Sequence, residues 1–205
     1  MMNPLIAQKE KSKKRPIPTT LVYEVLNGTQ IPYAGYKKAL SAIHKNEHLI
    51  GYGMFQGLII DTLTSYLKLA LAQQGYRVLG LEMGLHIDKN NNFSLDIAIF
   101  PQTALSLQNA SVGYIDFPPK AVIEVDTKAD PGTAEQMDYY HTKTQSLLNF
   151  GVGEVLWIFT HSRKIMYAKG SQPWIIVNWV DEIAILGHNM VISDVLANDP
   201  ATAGF

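Results

Sequence analysis

Hydrophobic and polar positions along the first half of the chain predict strands on both sides of one long helix. Residues 20–33 predict an opening strand and turn, and the apolar stretch 45–75 predicts a helix that stops at Gly75. Residues 77–87 and 93–101 are apolar, strand-like runs around the turn-forming sequence DKNNN. These two runs therefore predict a β-hairpin.

The second half of the chain has the pattern of a crossover unit. Residues 120–128 predict a buried strand, residues 130–154 an amphipathic helix with a glycine stop, and residues 155–160 a second strand. A strand, helix and strand at this spacing normally place two parallel strands in one sheet. Short antiparallel strands are predicted over residues 164–186, before a closing segment at 190–198. The pattern thus predicts an α/β fold with a central mixed sheet flanked by helices.

Length and composition favour one folded domain. The chain has 205 residues, of which 47% are hydrophobic, and this is enough to bury a sizeable core. We expect a flexible basic tail over residues 1–19 and a single domain over residues 20–205. The net charge is −1, which gives no general attraction to nucleic acid, so a polyanion would need a local patch.

The apolar stretch from His48 to Tyr76 is nearly long enough to span a membrane. Gln56, Asp61 and Lys68 interrupt it, and a buried amphipathic helix is the better interpretation. The N-terminal sequence lacks the pattern of a secretory signal. These features predict a cytoplasmic protein without a membrane span.

Charged residues alternate along the predicted strand that contains AVIEVDTK. Glu124, Asp126 and Lys128 share one side of this strand, since successive side chains of a strand point to opposite faces. Carboxylates in a partly dry place are costly unless a cation or hydrogen bonds compensate them. Cysteine is absent, so a metal would be held by oxygen or imidazole ligands, which favours Mg²⁺ or Mn²⁺. A bound cation is one way to compensate these carboxylates.

A second carboxylate belongs to the neighbouring predicted strand. Asp96 lies on the second arm of the hairpin, and the two acids, Asp96 and Glu124, could be adjacent midway along the sheet. Two carboxylates form an open oxygen site for a hard divalent ion, and a nearby lysine could position a water molecule. This chemistry is typical of phosphodiester hydrolysis. Asp96 alone, however, could merely accept backbone N–H bonds.

These residues resemble the PD-(D/E)XK nuclease superfamily, which has the restriction-endonuclease-like fold. Within it, the chain resembles the Uma family of restriction-endonuclease-like proteins, a group of largely unknown function. The resemblance rests on the order of five segments, namely YEVLNG (23–28), LDIAIF (95–100), AVIEV (121–125), KTQSLLNFGVGEVLWIF (143–159) and ISDVLA (192–197).

The resemblance implies roles for particular residues. Asp96 and Glu124 correspond to the acidic pair that binds Mg²⁺ or Mn²⁺, with the backbone carbonyl of Val125 as a further ligand. The lysine of the family pattern falls on Lys143, and Glu24 matches the glutamate of the opening strand.

Two departures from the family pattern leave the lysine open. Leu95 stands where the family usually has proline before the first aspartate, and DTK replaces a serine pattern after the glutamate. Asp126-Thr127-Lys128 is itself a D-X-K triplet, so Lys128 is the alternative to Lys143.

Two functions remain open at this point. The chain could be a metal-dependent endonuclease that hydrolyses DNA, or a catalytically inactive module that keeps the fold to bind DNA or to regulate. A homodimer formed through a sheet edge is compatible with both. Trp157, Trp174 and Trp179 could lie in such an interface or in the core.

Overall fold

The structure, a computed structural model, describes residues 17–33, 36, 53–108, 110, 112–126 and 134–204. Within these residues the α-helices are α1 (Met54–Ala72), α2 (Ala134–Phe150) and α3 (Ile192–Ala197). The strands are β1 (Val22–Leu26), β2 (Thr29–Pro32), β3 (Tyr76–Asp88), β4 (Asn91–Pro101), β5 (Ala121–Asp126), β6 (Glu154–Phe159), β7 (Lys164–Lys169), β8 (Ile175–Asn178), β9 (Ile183–Ile185) and β10 (His188–Met190).

The strands form one large sheet and one small ribbon. In the large sheet the order is β2-β1-β4-β5-β6-β7-β8, and β3 pairs with β4 outside this path. β5 and β6 are parallel, whereas the other paired strands are antiparallel. The prediction of an α/β fold with a central mixed sheet is therefore confirmed, including the parallel crossover.

Helices cover both faces of the sheet, because the strand residues alternate between two apolar clusters. Ile123 and Val125 of β5 pack with Leu63 of α1 in one cluster. Val122 packs with Leu147 of α2 in the other. Glu124 has the same parity as Val122, so its position in the strand directs it toward the α2 side.

Several element boundaries differ from the sequence prediction. Helix α1 begins at Met54, because Gly53 has an extended backbone (φ −64°, ψ 149°); residues 45–52 lie outside the described part. The opening segment forms a complete hairpin, with Asn27 and Gly28 at positive φ in its turn. Ile183–Ile185 is a short antiparallel strand, as predicted, and its partner is β10, which follows the turn at Leu186 and Gly187.

The described residues also bear on three other predictions, which concern a membrane span, the N-terminal tail and the tryptophans. No helix in the described residues is long and apolar enough to cross a membrane. Most of the tail predicted over residues 1–19 lies outside the described part, and Thr19 already belongs to a short 3₁₀ helix. Trp157 and Trp179 are buried in the core, which is the second of the two alternatives for these side chains.

Candidate active site

An interruption in strand pairing creates the site. β3 pairs with β4 from Pro101 to Asn91 and so occupies one edge of β4. The other edge is shared by β5, which pairs at residues 97–99, and by β1, which pairs at Asn92. Residues 93–96 of β4 lie between these two partners, and on this edge the Ser94 carbonyl and the Asp96 carboxylate accept hydrogen bonds from other groups.

Asp96 lies at the point where β4 and β5 separate. The last pair between the strands is Ile97 with Ile123. Beyond it, the Asp96 carboxylate accepts the backbone N–H of Val125 through Oδ2, at 2.7 Å. The Val125 carbonyl accepts a hydrogen bond from Nε2 of Gln56, on α1, at 2.6 Å. Side chains therefore bind both polar backbone groups of Val125.

Lys143 joins the acidic residues from the opposite side. Its Nζ atom lies 2.9 Å from Oε2 of Glu24 and 3.1 Å from Oε1 of Glu124. It also donates a hydrogen bond to the Ser94 carbonyl at 3.0 Å, on the open edge of β4. The lysine side chain is completely buried. The ammonium group thus has one hydrogen bond and two ion-pair contacts, and Oε2 of Glu24 and Oε1 of Glu124 accept no hydrogen bond within the described residues.

Aromatic residues complete the surroundings of Lys143. The Tyr139 hydroxyl donates a hydrogen bond to Oε1 of Glu24 at 2.6 Å. Tyr139 precedes Lys143 by four positions in α2, so both lie on the same helix face. Three rings lie 5.5–5.7 Å from Nζ, namely those of Tyr23, Phe93 and Trp157. Rings at this distance stabilise a buried cation.

The site has more acidic than basic groups. Burial raises the pKa of the Glu124 carboxyl well above its ordinary value; Lys143 opposes this shift, and Asp96 and Glu24 add to it. For Lys143, burial alone lowers the pKa, but the carboxylates of Glu124 and Glu24 outweigh it and hold the pKa well above its ordinary value. The lysine is therefore a cation beside three carboxyl groups, and the cluster favours uptake of further positive charge.

The structure brings four of the predicted site residues together. Glu24, Glu124 and Lys143 form one ion-pair cluster, and Asp96 binds the backbone next to Glu124. Their catalytic roles stay predictions. Lys128 lies outside the described residues.

Sequence reasoning missed Tyr139, Gln56 and the Ser94 carbonyl. The spacing of four residues between Tyr139 and Lys143 was the available signal. Gln56 had been noted only as a polar interruption of α1, and a backbone carbonyl carries no signal in the sequence.

The chemistry of the donors fits a hard divalent ion. The carboxylates of Asp96 and Glu124 and the Val125 carbonyl are oxygen ligands of the kind that Mg²⁺ and Mn²⁺ bind. The surplus of carboxyl groups over ammonium groups supports the same fit. Within the described residues, no group of three or more His, Asp or Glu side chains is placed to hold a metal. Water and substrate oxygens would have to complete the coordination, as is usual for Mg²⁺.

Comparison with known proteins supports the fold. The chain is similar to a solved structure described as a "putative nuclease belonging to DUF820 from Anabaena variabilis ATCC 29413", with a TM-score of 0.62 and 14% identity. The similarity covers 86% of this chain and 90% of that one. No family model matches the sequence, and no curated protein matches it. At this identity the likeness shows a shared nuclease-like fold alone.

Proposed function

We propose that this protein is a metal-dependent nuclease that hydrolyses phosphodiester bonds of DNA. One observation carries the proposal: Glu24, Asp96, Glu124 and Lys143 converge at the edge of β4 where strand pairing is interrupted. A buried cluster with surplus carboxylate is costly unless it has a task or a counterion. The fold of the similar nuclease structure adds support by analogy.

In this proposal Asp96, Glu124 and the Val125 carbonyl hold Mg²⁺ or Mn²⁺. When bound, the ion supplies charge stabilisation for the scissile phosphate and acidifies a water molecule. Asp96 keeps the β5 backbone in place through the Val125 N–H, and Gln56 fixes the direction of the Val125 carbonyl. The two side chains thereby hold the carbonyl oxygen beside the Glu124 position.

Lys143 holds a proton-donating ammonium next to the acidic pair. Glu24 and Ser94 bind it from the β1 side of the cluster, and Tyr139 in turn holds Glu24. Lys143 contacts Glu24 and Glu124 as ion pairs, and the facing carboxylate oxygens accept no hydrogen bond within the described residues. The ammonium therefore keeps N–H donors for a substrate or water oxygen.

Metal binding is the first experiment. Titration calorimetry with Mg²⁺ and Mn²⁺ compares the wild type with Asp96→Asn and Glu124→Gln, and both variants are expected to lose binding. Glu154→Gln is the matched control, because Glu154 is another buried glutamate of the same sheet, paired with Lys169 at 2.8 Å. Binding retained by Asp96→Asn and Glu124→Gln would contradict the assignment.

Cleavage is the second experiment. Duplex DNA, single-stranded DNA and RNA are incubated with each variant and a divalent metal, and products are resolved on denaturing gels. We expect cleavage of DNA by the wild type and a loss of at least about 100-fold in the Glu124→Gln and Lys143→Met variants. Equal rates for the wild type and Glu124→Gln would mean that the activity does not come from this site.

A second function has a specific observation in its favour. Lys143 is fully buried between Glu24, Glu124 and the Ser94 carbonyl, so this network of contacts already compensates two of the acids without a metal ion. Such a network suits a catalytically inactive module that keeps the nuclease fold to bind DNA or to regulate. This function would be favoured if the folded wild-type protein binds DNA but neither binds a metal ion nor cleaves the DNA.

We further propose that two copies associate through the sheet edge formed by β8. Ile175 and Ile176 of this last strand are 47% and 60% exposed. Edge strands of this kind readily pair with a second chain. Sedimentation of the wild type and of Ile176→Lys tests the proposal, since the lysine should shift a dimer to a monomer.

A further inference from the structure

A cavity lies at the turn between β6 and β7. Its volume is about 260 Å³, slightly below the range of roughly 300–1,000 Å³ typical of drug-sized ligand pockets. Its polar lining comes from three segments: the turn itself, the end of β8 and the start of α3. The lining residues used below are Ser162, Arg163, Lys164, Asn178, Trp179 and Ser193.

The charge of this cavity is basic. Arg163 and Lys164 line it, and no carboxylate is among the described residues of its wall. Asp181 accepts the backbone and side-chain N–H groups of Asn178, at 2.7 and 2.8 Å, and Nζ of Lys164 donates to Oδ1 of the same asparagine. Asp194 lies 3.5 Å from the Ser193 hydroxyl. An anion is thus the ligand that the charges favour.

The hydroxyl of Ser162 indicates a missing partner. Its Oγ atom is buried and has no hydrogen-bond partner within the described part of the chain. A buried hydroxyl without a partner costs about 1–3 kcal/mol, so native proteins rarely leave one unsatisfied. A ligand oxygen in the cavity would remove that cost.

The backbone of Arg163 adds conformational strain at the same turn. Its backbone is in the left-handed region, at φ 51°, where side chains other than Gly, Asn and Asp are uncommon. Asn would relieve this strain, yet the chain has an arginine. The guanidinium group is suited to bind phosphate through two parallel hydrogen bonds.

The cavity lies at the end of the sheet where β5 and β6 finish, on the face covered by α1 and α3, because Trp179 and Leu196 of its lining pack with the apolar cluster on that face. β5 and β6 are parallel, so both end on this side, with Asp126 opposite Phe159. Phe159 in turn pairs with Lys164 on β7. The acidic cluster lies on the α2 face, beside the middle of β5.

We propose that this cavity binds a backbone phosphate of a nucleic acid. Arg163 and Lys164 supply the positive charge, and the Ser162 hydroxyl donates to a phosphate oxygen. The nucleic-acid part of this inference rests on the proposed function. The anion site itself rests only on the cavity, its two cations and the buried hydroxyl.

Two variants test the site without disturbing the acidic cluster. Arg163→Asn removes the guanidinium and suits the left-handed backbone, so its melting temperature should equal or exceed that of the wild type. Ser162→Ala removes the buried hydroxyl. Arg77→Asn is the matched control, because Arg77 is exposed and pairs with Phe100 at the opposite end of the sheet.

The first measurement uses inorganic phosphate alone. Amide NMR spectra of the wild type should change at Ser162, Trp179 and Ser193 on addition of phosphate, and the changes should be lost in Arg163→Asn but kept in Arg77→Asn. Unchanged spectra in the wild type, or shifts equally strong in Arg163→Asn, would overturn the anion site. An effect seen with sulfate and chloride alike would also overturn it, as an adventitious ion only.

The second measurement uses a fluorescein-labelled DNA oligonucleotide in the absence of divalent metal. Arg163→Asn should weaken binding about 5- to 10-fold and reduce the slope of log K against log salt by about 0.7–0.9, while Arg77→Asn should do neither. If phosphate binds the cavity but DNA affinity and slope do not change, the backbone assignment is overturned. Neither phosphate binding nor DNA binding requires cleavage, so both should persist in Glu124→Gln. A failure of the nuclease proposal can therefore be distinguished from a failure of the anion site.

Discussion

Replacing Lys143 by Met should be the most damaging single change in the acidic cluster. Met keeps most of the length of the buried side chain but removes its charge, so packing against Tyr23, Phe93 and Trp157 largely persists. The variant loses the positive charge that compensates the buried carboxylates. Glu24 and Glu124 would then be buried carboxylates without the cation that lies 2.9 and 3.1 Å away in the wild type.

The size of the effect follows from burial. Removing one partner of a fully buried ion pair costs about 3–5 kcal/mol, because the remaining charge is left uncompensated. Both carboxylate side chains here are at most 3% exposed, so solvent screening gives little relief. We expect the free energy of unfolding at pH 7 to fall by about 3–5 kcal/mol, a large share of the roughly 5–15 kcal/mol of a typical domain.

The dependence on pH gives the sign of the electrostatic effect. The pKa of Glu124 is raised in the folded state above its ordinary value of 4.5. Its contribution to stability is therefore full below that ordinary value and is lost as the pH rises through the raised one. Lys143→Met removes the cation that opposes this shift, so its deficit relative to the wild type should grow between pH 5 and pH 8.

Chemical denaturation at pH 5, 7 and 8 measures this deficit. Adding Glu124→Gln to Lys143→Met should recover about 1–3 kcal/mol, because the double variant has one buried carboxylate fewer. Lys169→Met is the control: Lys169 is 48% exposed, and losing its contact with Glu154 should cost about 1 kcal/mol or less. A deficit for Lys143→Met below about 1 kcal/mol, constant across this pH range, would refute the reasoning.

Three further changes test neighbouring contacts and the proposed metal. Tyr139→Phe removes the 2.6 Å hydrogen bond to Glu24 and should lower the free energy of unfolding by about 1–3 kcal/mol in denaturant titrations; an unchanged midpoint would show that the bond adds nothing. Gly84→Ala would place a Cβ 2.6 Å from the Tyr114 ring, so the ring should move outward at a cost of about 1 kcal/mol, visible as faster proteolysis near Tyr114. Millimolar Mg²⁺ should raise the melting temperature of the wild type but not that of Glu124→Gln, since a ligand stabilises only the state that binds it; equal shifts would place the ion elsewhere.

The sequence by itself determined the local elements and the side of the sheet on which the acids lie. Alternation in β5 separated Glu124 from Ile123 and Val125, because strand side chains alternate with a period of two whatever the surroundings. The DKNNN turn fixed the β3–β4 hairpin in the same way, since both its strands and its turn residues are close in sequence. The mixed sheet followed from the strand, helix and strand order around α2.

Only the tertiary structure decided how the acids are compensated. The sequence left Lys143 and Lys128 open, and the structure places Lys143 against Glu24, Glu124 and the Ser94 carbonyl in the interruption between β1 and β5. Tyr139 and Glu24 are 115 positions apart, so no local pattern could pair them. Burial, and with it the raised pKa of Glu124 and of Lys143, depends on what packs around a residue. That packing is set by contacts between distant segments, which periodicity along the chain does not specify.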